Sequence, residues 1–484
     1  MLKKFGKLAE DKYFLAALVL FISGLFLRFY KLNGFVTFLG DQGRDAIIIK
    51  RIVSFEHFPA IGPPTSVGQV YLGPFYYYFI APWLWLFNFE PIGLAFGVAF
   101  FSSIYILVNY FVVKDLFNKQ IALISTALIT FSFALLQFSR FSWNPNLLPL
   151  FTLLTVYFLI KAFKKLGLRF FVLTGAFLSF AIQLHYLALF IIPPIVVLFI
   201  VQLYEQRKHL SQILIGGLTA LASFLVFSIP LIIFDLRHNF LNTNNFIRLF
   251  KNSSPVAGNK LANLADTFTF LNKYAFNIDV NPLLSSLVLI LIVISLIFVL
   301  RRRDNIRSFL IFLVLIILGT ALYGGPKYPH YFGAVYPLYY VVIGYFLSVL
   351  LTFFSGRILI AFFVAAYVFL NAQSYYFFTH PVNNQIDKAR EIAKVIYDNA
   401  DKNGFRLTSL PQHYGDYAYR YFLELWRRKP IEKGSFEKVP TLFVVCEEEC
   451  RPIGDPQWDI AYFAPRKIVG VWRIDGVTIY KLVR

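Results

Sequence analysis

Charge is what this sequence has least of. Only 15% of its 484 residues are Asp, Glu, Lys or Arg, against 58% hydrophobic ones, whereas soluble domains are about a quarter charged. The chain cannot cover itself with polar surface, and its mean hydropathy is +0.63. That excludes a disordered chain, a collagen and a soluble nucleic-acid binder. Cysteine is scarce too. With two in the whole chain, no disulfide framework holds the fold together. No internal repeat is visible, nor an inverted pair of Gly/Pro-broken helices, which speaks against a secondary transporter.

What the chain has instead is aromatic and aliphatic filler, including 57 Phe and 29 Tyr. Near-chargeless runs such as Tyr13 to Leu27 and Leu284 to Leu300 mark a polytopic α-helical membrane protein. Hydropathy predicts about eleven transmembrane helices, near 13–30, 91–113, 120–138, 146–161, 170–185, 187–204, 212–234, 284–300, 308–323, 332–352 and 357–377. Lys3, Lys4, Lys7 and Lys12 precede the first run without a small-residue cleavage site. They read as an uncleaved signal-anchor with a cytoplasmic N-terminus.

The stretch 71–87 is ambiguous, with two prolines and the aromatic clusters Phe75-Tyr76-Tyr77-Tyr78 and Trp83-Leu84-Trp85. If it does not cross, about 17 basic residues fall on the cytoplasmic side. The short outer connectors then keep only Arg140 and Lys327. If it does cross, the bias inverts. The expected arrangement therefore makes 71–87 an outer juxtamembrane helix and puts the C-terminus outside. In the tail, residues 384–400 have amphipathic helix spacing. Thr441 to Val445, Ile468 to Trp472 and Val477 to Tyr480 read as strands, the last two joined by an Asp475-Gly476 turn. The expected organisation is a membrane part over 1–378 and a small extracytoplasmic α/β domain over 379–484.

The candidate functional residues cluster at the expected outer ends of spans. In Gly40-Asp41-Gln42-Gly43-Arg44-Asp45, helical spacing puts Asp41 and Asp45 on one face beside Arg44. A carboxylate at the interface suits a general base towards a hydroxyl; the alternative is a capped helix start. Arg140, in Ser139-Arg140-Phe141-Ser142, either binds a phosphate or snorkels to headgroups. His185 is a ligand-facing group or a hydrogen-bonded structural one. Arg237 follows Asp235 by two, so a simple ion pair competes with a binding role. Lys327 and His330 sit in the Gly/Pro-broken connector from Tyr323 to Phe332, which suits either a phosphate or lipid headgroups. The spacing Cys446-Glu447-Glu448-Glu449-Cys450 lacks the further ligands of a zinc site and suits a local structural disulfide. Arg427-Arg428-Lys429 reads as a solvated face.

At these residues the chain resembles the GT-C glycosyltransferases, in particular relatives of protein O-mannosyltransferases and lipid A aminoarabinose transferases. The resemblance covers about 1–378. Asp41 falls where the family's Asp-Glu motif places its catalytic carboxylate, with Gln42 in place of the Glu. Gly73-Pro74-Phe75-Tyr76-Tyr77 resembles the family's His-Pro-Pro-Leu-Tyr-Tyr motif without its histidine. Ser139-Arg140 with Pro145 resembles its outer Ser-Arg turn, and His330-Tyr331 with Pro337 its late Arg-Tyr-Pro motif.

The resemblance implies a polyprenyl-phosphate sugar donor, transfer on the extracytoplasmic face and an unknown acceptor. Asp41, with Asp45 beside it, would be catalytic. Arg44, Arg140, His185, Arg237, Lys327 and His330 would meet the donor phosphate. Tyr76, Tyr77 and Tyr331 would line the lipid and sugar groove. Neither a metal nor another cofactor is implied. Two other classes stay open: a lipid-linked sugar transporter or flippase, and a non-catalytic membrane scaffold.

Overall fold

The computed structural model describes residues 10–65, 70–252 and 260–484. Lys3, Lys4 and Lys7 of the expected signal-anchor lie outside them.

Eight helices among the described residues are long and apolar enough to cross a membrane. They begin with α1 (Lys12–Phe29) and include Ile92–Leu116, Pro282–Val299 and Phe354–Ala372. Three shorter apolar helices, Lys119–Phe131, Leu168–Leu184 and Tyr336–Leu350, occupy the other three places predicted from hydropathy. Polar residues start them at the expected points. The Asp11 side chain accepts from the Tyr13 amide. The Asn118 side chain accepts from Gln120 and Ile121 amides, and Asn281 caps a helix that opens on Pro282.

Between α1 and the next long helix lie α2 (Gly40–Val53) and α3 (Phe75–Leu86). The 12 residues of α3 rise only about 18 Å, well short of a bilayer core. Tyr76, Tyr77, Ile80, Ala81 and Leu84 of α3 are buried, so one face of the helix packs into the protein, while Tyr78 and Trp85 stay exposed.

The bundle has two chemically different ends. At one, Lys161 pairs with Asp115 at 2.9 Å, and Arg307 of α4 (Asn305–Leu322) pairs with Glu205 at 2.6 Å. The Gln206 side chain donates to the Phe163 carbonyl at that same end. Most of the basic connectors gather there. At the other end sit α2, α3, the 139–147 turn, the 185–191 turn and the 323–332 connector.

The tail docks on this second end. It contains α5 (Gln385–Asn399), α6 (Tyr417–Leu425) and a four-stranded sheet. The strands are β1 (Phe405–Leu410), β2 (Thr441–Cys446), β3 (Lys467–Ile474) and β4 (Val477–Val483), in the order β1-β2-β4-β3. β1 runs parallel to β2, and the remaining neighbours are antiparallel. Asp475 and Gly476 both take positive φ, at 43° and 82°, the geometry of a tight two-residue hairpin turn. The strand β1 and helix α6 are additions to the sequence reading. Arg406 of β1 is buried against Asp459 at 2.6 Å, so an inward charge hides the strand from a hydropathy scan. Cys446 and Cys450 form the local disulfide.

Docking is close. A side chain at Gly43 would lie 2.3 Å from the Ala418 amide, so the backbones of α2 and α6 touch. Arg51 donates to both Glu424 oxygens at 2.9 and 2.7 Å. One face of the sheet, with α5 and α6, shares a continuous core with the bundle, and the other face packs a separate small core around Leu442, Val444 and Leu482.

Candidate functional site

Helix α2 builds the site through three polar groups of its first turns, Asp41, Arg44 and Asp45. Arg44 Nη1 donates to Asp41 Oδ1 at 2.8 Å, while its Nε and Nη2 donate to Asp45 Oδ1 at 3.0 and 2.9 Å. The two carboxylates differ in surroundings. The Asp41 side chain is 57% exposed and that of Asp45 is fully buried. The Tyr77 hydroxyl of α3 also donates to Asp45 Oδ1 at 3.0 Å, which ties α2 to α3. Burial raises the Asp45 pKa, and the Arg44 guanidinium pulls it only part of the way back. Burial is the largest single effect on Arg44 and works against its charge, yet Asp45, Tyr77 and Asp41 together outweigh it, and the guanidinium is held above its ordinary range.

Asp41 and Arg44 line a cavity of about 110 Å³ together with His185, Tyr186, His330 and Tyr331. Trp143, Asn144 and Pro145 close another side. Four stretches far apart in sequence therefore converge. The Asn144 side chain donates to the Leu184 carbonyl at 2.6 Å, which fastens the 139–147 turn to the 185 turn. His185 Nδ1 accepts from the Leu187 amide at 3.3 Å, so Nε2 carries the proton of the neutral ring. The His330 ring packs among aromatics, 4.6 Å from Trp143 and 4.5 Å from Tyr331 between centroids. The two histidine rings are 5.7 Å apart. Burial pushes His185 down to about 3 and His330 down to about 4. Both are neutral N–H donors at neutral pH.

The remaining candidates from the sequence lie elsewhere. Arg140 is 1% exposed. It donates to the Leu27, Arg28 and Tyr30 carbonyls at 2.6, 3.1 and 2.8 Å and stacks on Phe377. It thus caps the C-terminus of α1, where carbonyls lack helical partners, and it does not line the cavity. Lys327 is buried and donates to Asn263 Oδ1 at 3.0 Å and the Tyr323 carbonyl at 3.1 Å. Arg237 is exposed at a helix end. Its expected partner Asp235 instead accepts from the Asn242 amide at 2.7 Å. Tyr76 is buried, with its hydroxyl 2.6 Å from that of Ser142. Trp143, Asn144 and Tyr186 also line the cavity; each lies within two residues of one that the sequence singles out, Ser142 or His185. Among the described residues no group of three or more His, Cys, Asp or Glu is arranged to hold a metal ion.

Residues 72–233 match the family model of dolichyl-phosphate-mannose-protein mannosyltransferases. Among solved structures, the chain resembles ArnT from Cupriavidus metallidurans bound to undecaprenyl phosphate. The TM-score is 0.59 at 14% identity, covering 97% of each chain. It also resembles the archaeal oligosaccharyltransferase AglB from Archaeoglobus fulgidus, solved with an inhibitory peptide and a dolichol-phosphate. That TM-score is 0.56 at 16% identity, over 89% of this chain and 69% of AglB. No curated protein sequence matches the chain. The family model thus covers residues 72–233 of the chain, and the likeness to ArnT and AglB is one of fold.

Proposed function

We propose that this membrane protein transfers a sugar from a polyprenyl-phosphate donor to an acceptor hydroxyl, with Asp41 as general base. The observation that carries the reading is the convergence of Asp41, Arg44, His185, His330 and Tyr331 on one cavity. The lipid phosphates held by ArnT and AglB support a lipid-linked donor.

The acceptor oxygen attacks the anomeric carbon as Asp41 takes its proton, and the bond from that carbon to the phosphate oxygen breaks. Polyprenyl phosphate leaves with the electron pair, and the configuration inverts. Because a phosphate ester is already a good leaving group, no separate acid is needed. Arg44 and the N–H groups of His185 and His330 stabilise the charge that grows on the phosphate. Asp45 lies buried beneath Arg44, out of an acceptor's reach; it positions the guanidinium and, through Tyr77, holds α2 against α3. Tyr331 and the aromatics around His330 form the sugar-facing wall. The positive-inside bias supports a cytoplasmic N-terminus and transfer on the extracytoplasmic face. Residues 1–378 form the catalytic part and 379–484 an extracytoplasmic unit.

The test incubates the purified protein with a panel of labelled polyprenyl-phosphate sugars and scores lipid-phosphate release. Asp41→Asn is expected to lower transfer by about 10² to 10⁴-fold while donor binding persists. Wild-type turnover in that variant removes the base, and silence across the whole panel removes the donor class.

A further inference from the structure

At the basic end of the bundle, far from the Asp41 cavity, a second cavity of about 210 Å³ is lined by Lys164, Glu205, Arg303, Asp304, Arg307 and Ser308. Its polar groups are incompletely paired. The Arg307 side chain is 5% exposed and grips both Glu205 oxygens, yet its Nε has no partner. Asp304 precedes α4, but its side chain caps no amide of the helix, and its Oδ1 is buried without a partner. The first turn of α4 therefore has no side-chain cap for its amides, and Asn305, Arg307 and Ser308 of that turn line the same cavity, at the anion-favouring end of a helix. Lys164 and Arg303 are both exposed at the cavity. Glu205 meets Arg307 at 2.6 Å and Arg303 only at 4.0 Å, and the cations Lys164, Arg303 and Arg307 outnumber the carboxylates Glu205 and Asp304 in the lining, so the surplus charge is positive.

A ligand that satisfies this set must carry a phosphate for the cations and amides and a hydroxyl for Asp304. The helix that bears Glu205 also exposes Ile200 and Tyr204, at 60% and 70%. That surface suits acyl chains beside the cavity. We propose that this cavity binds the headgroup of an anionic glycerophospholipid with free headgroup hydroxyls, of the phosphatidylglycerol kind. Lys164 and Arg303 neutralise the phosphate, Arg307 Nε and the α4 amides donate to its oxygens, and Asp304 accepts from a headgroup hydroxyl. The site is separate from the proposed transfer chemistry.

The test titrates the purified full-length protein with dioctanoyl phosphatidylglycerol, dioctanoyl phosphatidylcholine or sn-glycerol 3-phosphate, reading adducts by native mass spectrometry. The expected order puts phosphatidylglycerol about tenfold or more ahead of both others, in keeping with one or two desolvated charge-assisted hydrogen bonds. Lys164→Ala combined with Arg303→Ala should abolish that preference, since both side chains are exposed and their loss spares the fold. Arg357→Ala, an exposed cation outside the cavity, should leave it intact. Equal binding of phosphatidylcholine, or an unchanged preference in the double variant, overturns the site. Binding of glycerol phosphate as tight as that of the lipid overturns the lipid assignment.

Discussion

At the basic end of the bundle, Arg301, Arg302 and Arg303 stand exposed and Lys161 and Arg307 meet carboxylates. At the cavity end, Arg28, Arg140 and Lys327 are buried and direct their donors to backbone carbonyls or an amide side chain. The first arrangement leaves charge free to act on the membrane field. The second uses charge as internal scaffolding, and leaves one exposed carboxylate, Asp41, beside two neutral histidines. A count of cations thus locates the orientation signal; the convergence of partly satisfied groups on one space locates the candidate chemistry.

The sharpest way to break this contrast is to remove the buried carboxylate. Asp45→Ala strands Arg44 and the Tyr77 hydroxyl, and should cost about 3 kcal/mol or more, read as a large fall in the thermal unfolding midpoint. An unchanged midpoint would mean that the α2 cluster is solvated. Next comes Arg140→Met, which uncaps the end of α1 and should cost about 2 kcal/mol. Donor affinity per folded molecule should stay within about twofold. A large rise in donor Kd would return Arg140 to phosphate binding.

A smaller effect comes from pH. The unfolded chain protonates its histidines near about 6.5, while the folded one holds His185 near about 3 and His330 near about 4. Below about 6.5 the unfolded state binds protons that the native state refuses, so stability present above that pH is lost as pH falls towards about 4. Differential scanning fluorimetry should show the midpoint declining over that window, and His185→Asn should make the decline shallower. A flat profile in the wild type would contradict burial of both rings. Smallest of all, Arg302→Ala at the opposite end should shift stability by no more than about 0.5 kcal/mol and leave transfer untouched.

The eleven apolar stretches were legible because a membrane span is a local property: about twenty residues of composition suffice. The β3–β4 hairpin was legible for a similar reason, since Asp475-Gly476 has one favoured turn geometry. β1 escaped because its inward Arg406 is satisfied by Asp459, 53 positions away. The site was half legible. Asp41, Arg44, His185, His330 and Tyr331 stand out as polar or aromatic groups at span ends. Nothing local distinguishes them from Arg140 or Lys327, which have the same signature and different partners.

Composition and periodicity by themselves determined that this chain crosses a membrane many times, where the apolar segments lie, and that a sheet-forming tail follows. Tertiary structure alone decided which polar side chains share a space. Arg140 is occupied by carbonyls about 110 positions away, whereas Arg44 meets its carboxylates within three. Hydrophobic burial sums over a segment and survives in any fold, but a hydrogen bond depends on a partner's position to within an ångström. Only the assembled helices supply that.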